Sequence, residues 1–537
     1  MKIRSSKSQN NSFDWAVSLL ATWPKRRNQL RRSRQLRPLC PQPHKSLLRA
    51  YFTVLRRMGL SVAVSITDAG YDEATRSLSW GYKAVTQLSP TSVTTTLTSP
   101  GVRLVEQEAR ALLVRLGRVT PFAFQQTAVP AAALPPGVLS TIDRYLISGR
   151  RKVHQLVVKF IRWLQSPEGR SATPELAQRR FTMLRMRFNV TLAQFDIFAD
   201  ALTQRSEQGT GVLLAGLDAA AADALSIAGN YYKLPGVVCY LDRGHGAAIR
   251  RARTRLPGGG ENPIAIIRIP RERMIGSGIA SSLIHEAGHQ AAALLDLIES
   301  IRPLLQGMER NGGEQSKAWQ YWNRCISEIL ADFWAVGRVG VTATLGLIGV
   351  VTLPRYFVFR LKLDDPHPLP WMRVRLSCAM GRVLYPDGQW DRLEKIWLSY
   401  YPPSTEDQRK DSFIALLEAT MPGLATLIAH HRPRPLGGLS LKDALETDRR
   451  RPALLRAAFK QWRMEPAKIF QASPTMVFAV IGQARAENLI TPEEEGQVFH
   501  RMLRYWALRD TLDPAVICAK PSAMPLGAPS LFIGATN

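Results

Sequence analysis

His285, Glu286 and His289 stand in Leu283-Ile284-His285-Glu286-Ala287-Gly288-His289-Gln290, an H-E-x-x-H arrangement inside residues that read as helix. Side chains four apart on an α-helix lie one turn apart on one face. His285 and His289 can therefore hold one metal ion while Glu286 stands beside it. This donor pair points to zinc, and the adjacent carboxylate points to hydrolysis. A zinc-bound water titrates near neutrality, and Glu286 can take its proton as general base and hand it to a leaving amine. The competing reading is a pair of buried histidines on an ordinary core helix.

Two histidines leave a catalytic zinc one protein ligand short. In Cys325-Ile326-Ser327-Glu328-Ile329-Leu330-Ala331-Asp332-Phe333-Trp334, Glu328 and Asp332 sit four apart on a second apolar helix. Glu328 is the expected third ligand. Asp332 would accept the remaining ring N–H of a ligand histidine, His285 in particular, fixing its tautomer. Bulky apolar neighbours place both acids at a buried margin, where each needs a partner. His245, in Asp242-Arg243-Gly244-His245-Gly246, and Cys325, three residues before Glu328, are the alternative ligands.

H-E-x-x-H followed by E-x-x-x-D resembles the gluzincin group of zinc metallopeptidases. Asp365-Pro366-His367-Pro368-Leu369-Pro370-Trp371-Met372-Arg373 carries H-P-x-x-x-x-R, similar to a segment of the heat-shock and prenyl-protein zinc peptidase family within that group. The resemblance covers residues 262 to 385 and is strong only at the three motifs. It implies a zincin-like core in which His367 and Arg373 lie near the zinc and steady an oxyanion or a substrate carboxylate. The forked, permanently charged guanidinium of Arg373 suits that task. Many members of that family are built into membranes. Here the longest uncharged run near the site, Val339 to Pro354, is shorter than the ~18 apolar residues of a spanning helix, so a buried core helix is expected and no transmembrane segment.

The elements that must position these groups are mainly helical, with a small β-sheet. Gly276-Ser277-Gly278 reads as the turn before the zinc helix, and Ile279, Leu283, Leu294, Leu295 and Ile298 extend its apolar face for some 20 residues. Val237 to Leu241 and Ile264 to Ile269 read as strands, either of which could pair with an extended substrate. Upstream, 138 to 228 is helical, with Thr173-Pro174-Glu175 as N-cap, first helical residue and first-turn acid. Downstream, Met476 to Arg485 and Val498 to Trp506 return to helix, the latter behind Glu493-Glu494-Glu495. The glycine-rich stretch 256 to 262 lacks the Lys-Ser/Thr of a phosphate loop and reads as a flexible connection. The expected organisation is a basic arm (1–44), a mixed region (45–135), a helical module (136–235), the metallopeptidase core (236–400), a C-terminal helical region (401–512) and a tail (513–537). Pro130 to Pro136 is the expected linker.

Composition bounds the remaining options. The 537 residues are 45% hydrophobic, enough for two or three globular domains. The formal net charge is +28, and residues 1 to 40 carry ten basic side chains, including Lys25-Arg26-Arg27 and Arg31-Arg32, against Asp14 alone. Such an arm is either a solvated tail or a binder of nucleic acid, acidic lipid headgroups or an acidic partner. Five scattered cysteines without C-x-x-C spacing read as free thiols in a reducing, cytoplasmic setting. A zinc-dependent peptidase acting on polypeptides is thus the leading expectation. The alternatives are a zinc-bearing scaffold and a nucleic-acid-associated protein without turnover.

Overall fold

Proline opens the helices of this chain repeatedly. Its fixed φ and missing N–H cost nothing in the first turn, where the backbone N–H has no helical acceptor. In the computed structural model, which describes residues 99–519 apart from 123–128, 244–245, 257–259, 272–275, 363 and 404–407, proline stands at the start of α1 (Pro100–Gly117), α2 (Pro136–Gln165) and α3 (Pro174–Thr203). Thr173 caps α3 as its sequence suggests, its hydroxyl accepting from the Leu176 N–H at 3.2 Å. The helix α1 lies within the stretch 45–135 that sequence alone leaves as a mixed region. Val102, Val105, Ala109, Leu112 and Leu116 bury one side of it against α2 and α3. The basic arm and the mixed region up to residue 98 lie outside the described residues, as do the C-terminal residues 520–537.

After α4 (Gln208–Leu225) the chain forms three strands, β1 (Val237–Asp242), β2 (Ala248–Arg250) and β3 (Ala265–Pro270), ordered β1-β3-β2. The two longer strands coincide with the two β-branched runs. β3 is the middle strand, parallel to β1 with Cys239 opposite Ile267, and antiparallel to β2 with Ile249 opposite the same residue. The Ile264–Ile269 run therefore has strands on both sides and no edge to offer a peptide. The outer edge of β1 is occupied by side chains: Asp218 and Gln204 accept from the Cys239 and Leu241 N–H groups, while Gln204 and Arg205 donate to the Leu241 and Cys239 carbonyls. Among the described residues, what remains is the outer edge of β2.

The helices that matter next are α5 (Ser277–Leu294), α6 (Leu297–Asn311), α7 (Ser316–Val339) and α8 (Val341–Val351). The apolar stripe expected to run through α5 and beyond is broken at Asp296, whose φ of 51° turns the chain into α6. α8 is the buried helix expected in Val339–Pro354, with Val341, Thr342, Ala343 and Leu347 inside. Then follow α9 (Pro370–Leu384), α10 (Gln389–Tyr400), α11 (Gln408–His430), α12 (Pro452–Met464), α13 (Pro474–Ala486) and α14 (Pro492–Ala519). One continuous core runs from Leu214 in α4 to Trp506 in α14, crossing the limits drawn from sequence at 235 and 400. The expected linker is packed as well, with Ala132 and Leu134 buried.

Asp411–His430 within α11 is the one helix among the described residues that is long and apolar enough to cross a bilayer, by length and composition. Leu417, Leu424, Ala425 and Ile428 of that helix are fully enclosed in the core, at the spacing of one helical face.

Candidate metal centre

The centre is built by two helices, α5 and α7, packed against each other. On α5, Leu283, Ile284, Ala287 and Ala291 are fully buried, which anchors the helix at roughly 1.5–3 kcal/mol for each large side chain. Gly288 faces α7, where a Cβ would stand 2.9 Å from both the Ala331 Cα and its carbonyl oxygen. Glycine inside the H-E-x-x-H motif is thus a packing requirement. It lets α7 approach until Glu328 reaches both histidines.

The reach is direct. Glu328 Oε2 lies 3.2 Å from His285 Nε2 and Glu328 Oε1 lies 3.4 Å from His289 Nε2. The donor atoms of His285, His289 and Glu328 all fall within 4.8 Å of one another, so the three can hold a metal ion. Two ring nitrogens and a carboxylate make a mixed N/O set, for which bonds of about 2.0–2.1 Å in a tetrahedral arrangement separate the ligand atoms by roughly 3.3 Å. The His–Glu separations match that spacing.

Asp332, one turn beyond Glu328, does what its position suggests. Its Oδ1 accepts from His285 Nδ1 at 2.8 Å, which leaves Nε2 pointing at the ligand group. Arg373, in the first turn of α9, donates Nε to Asp332 Oδ2 at 2.6 Å and a terminal N–H to Oδ1 at 2.8 Å. The guanidinium fork that the resemblance aimed at a substrate is instead engaged with Asp332. Arg373 is mostly enclosed, and its terminal nitrogen is 3.8 Å from Glu328 Oε2. Its electrostatic role is to balance the paired acids of α7.

His367 is placed differently. It is 53% exposed, its Nε2 is 3.4 Å from Glu328 Oε2, and its Nδ1 donates to Asp365 Oδ1 at 2.8 Å. The loop carrying it is pinned where the Leu369 N–H donates to the Tyr321 hydroxyl of α7 at 2.6 Å. His367 therefore repeats the carboxylate–imidazole pairing of His285 on the solvent side of the group.

These contacts move the titrations. Burial alone would lower the His285 pKa, but the Asp332 charge and the hydrogen bonds to Asp332 and Glu328 outweigh it and hold the ring at about 9. Burial raises the carboxyls of Glu328 and Asp332, and here too the partners win. His285 and His289 bring Glu328 well below the usual carboxylate range, and Arg373 with His285 does the same for Asp332. Among themselves these side chains thus form a network of cations and anions. Glu286 differs: burial raises its pKa, and the charges of the two histidines offset that only in part. Among the described residues none donates a hydrogen bond to its carboxylate.

Three contacts escape a sequence reading. Ser327 Oγ lies 3.4 Å from His289 Nδ1, Asp365 holds His367, and Gln290 accepts from the Ala252 N–H at 2.8 Å, tying α5 to the segment after β2. Ser327 neighbours Glu328 and Asp365 lies two residues from His367, so adjacency to a ligand motif was the only available signal. Of the alternative ligands, Cys325 is buried beside Tyr321 and burial raises its thiol to about 12, while His245 lies outside the described residues. No family model matches this chain, and no curated protein or solved structure matches it.

Proposed function

We propose that this protein is a zinc-dependent peptidase of the gluzincin kind, with His285, His289 and Glu328 as metal ligands and Glu286 as general base. The observation that carries the reading is Glu286. It projects from the same helix as both histidines, is buried, is not needed as a ligand and receives no hydrogen bond from another described residue. A structural metal site gains nothing from such a carboxylate and ordinarily fills its fourth position with another Cys or His.

Bound zinc would supply Lewis-acid polarisation of a scissile carbonyl and acidification of a water. The chain's own residues supply the rest. Glu286 accepts the proton of the attacking water and returns it to the departing amine, and its raised pKa brings acid and base forms closer together in energy. Asp332 keeps the His285 lone pair on Nε2 directed at the ligand group, and Arg373 holds Asp332 in place by two parallel hydrogen bonds. His367, exposed beside Glu328 and held by Asp365, is the group that can donate from Nε2 to a developing oxyanion.

The assignment is tested by metal titration of chelator-stripped protein. One zinc per chain is expected, with binding lost in His289→Ala and Glu328→Ala, alongside cleavage of a quenched-fluorescent peptide library only by zinc-loaded wild type. Stoichiometric zinc binding that survives both substitutions would place the metal elsewhere.

A further inference from the structure

A cavity of about 1200 Å³ adjoins the His367–Arg373 side of the metal group. That volume exceeds the ~300–1,000 Å³ of ordinary small-molecule pockets. One wall is a single face of α10, where Arg392, Ile396 and Tyr400 follow one another at four-residue spacing; α8 adds Leu345 and Ile348. Ile396 and Tyr400 are 46% and 62% exposed, and Leu353 and Phe357 beside them are 44% and 43% exposed. Large apolar side chains left open together in this way mark a binding surface.

The charges on the lining are lopsided. Its carboxylates all have partners: Asp365 holds His367, Glu487 holds Arg456, and Glu495 accepts from Ser277. Of its cations, Arg373 is held by Asp332, while Arg360, Lys362, Arg392 and Arg485 have no carboxylate within ion-pairing distance among the described residues. An apolar cleft with four such cations is complementary to a ligand that is apolar and anionic at once. A lipid anion satisfies the charge, but an acyl chain would strip water from Asn488 and from the Asp365 and Glu487 carboxylates without replacing it. An extended backbone brings its own N–H and C=O groups to them.

We propose that this cavity is a binding cleft for an extended polypeptide segment carrying both apolar and acidic side chains. As a substrate site it rests on the peptidase reading above; as a binding site it does not.

The probe is a fluorescein-labelled peptide of alternating leucine and glutamate, followed by anisotropy on full-length, zinc-loaded Glu286→Gln protein so that turnover cannot interfere. It should bind at least about tenfold more tightly than leucine–lysine or serine–glutamate counterparts, and Arg360→Glu with Arg392→Glu should weaken it about tenfold at unchanged zinc content. Ile396→Ser, at an exposed position, should also weaken it with the circular dichroism spectrum unaltered. Equal affinity for the lysine peptide, indifference to the charge reversals, or displacement of the peptide by phosphatidylglycerol vesicles would overturn the proposal, the last in favour of a lipid surface. Selective binding without wild-type cleavage would sink the peptidase reading and leave the cleft standing. Cleavage without charge preference would do the reverse.

Discussion

Asp332 serves two partners at once, accepting from His285 on one oxygen and from Arg373 on both. That arrangement makes it an orienting group, so Asp332→Asn should lower zinc affinity by about 10- to 100-fold while leaving one site per chain, measurable by competition with a chelator. Arg373→Gln separates the two roles open to that residue. Acting through Asp332, its loss weakens zinc binding; acting on an oxyanion, its loss would depress kcat at full zinc occupancy and leave affinity alone. The former is expected. At this scale the sequence was most readable where partners are local. H-E-x-x-H and E-x-x-x-D each place two groups on one helical face, which needs only the helix period. The partner of Arg373 lies 41 residues away, and only the packing of α9 against α7 decides that the guanidinium meets Asp332 before any ligand.

Two glycines set the geometry of α5. A methyl at Gly288 would drive against the backbone of α7, so Gly288→Ala should cost about 1–3 kcal/mol by denaturant unfolding and weaken zinc binding as Glu328 is moved off the histidines. Gly276, at φ +50°, turns the chain into α5 where Glu495 of α14 accepts from the Ser277 hydroxyl at 2.9 Å, and a Cβ there would meet that carboxylate. The last described helix thus braces the start of the one that carries both histidines. Long elements with clear punctuation were legible: Thr173-Pro174 begins α3, and β1 and β3 are the two β-branched runs. β2 has three residues, too few for a pattern, and the break at Asp296 is hidden because apolar residues continue across it into α6. Nor could strand order be read, so nothing in the Ile264–Ile269 run showed that it would lie between two strands.

For the molecule as a whole, the same network links proton binding to the fold, and a bound metal would join it. Without zinc, the raised pKa of His285 contributes stability that is complete below its unfolded value of 6.5 and lost as pH rises through about 9. The depressed carboxyls of Glu328 and Asp332 contribute stability above their unfolded values of 4.5 and 3.8, and lose it as pH falls. Melting temperature in the presence of chelator should therefore peak between pH 4.5 and 6.5 as far as this centre is concerned. Zinc must displace the His285 proton, so its affinity should rise about tenfold per pH unit toward about 9, as titrations at several pH values will show. An affinity independent of pH would remove His285 from the ligand set. A net charge of +28 and the helical bias were visible from composition and periodicity, whereas the single core from α4 to α14 was not, because its contacts join residues hundreds apart.

The most direct measurement is zinc content and peptide hydrolysis determined together on wild type and Glu286→Gln. The account predicts one zinc per chain in both proteins and cleavage by the wild type alone, reduced by at least about 10²-fold in the variant because an amide cannot take the water's proton. Undiminished cleavage by Glu286→Gln, or one zinc in both with cleavage in neither, would contradict it.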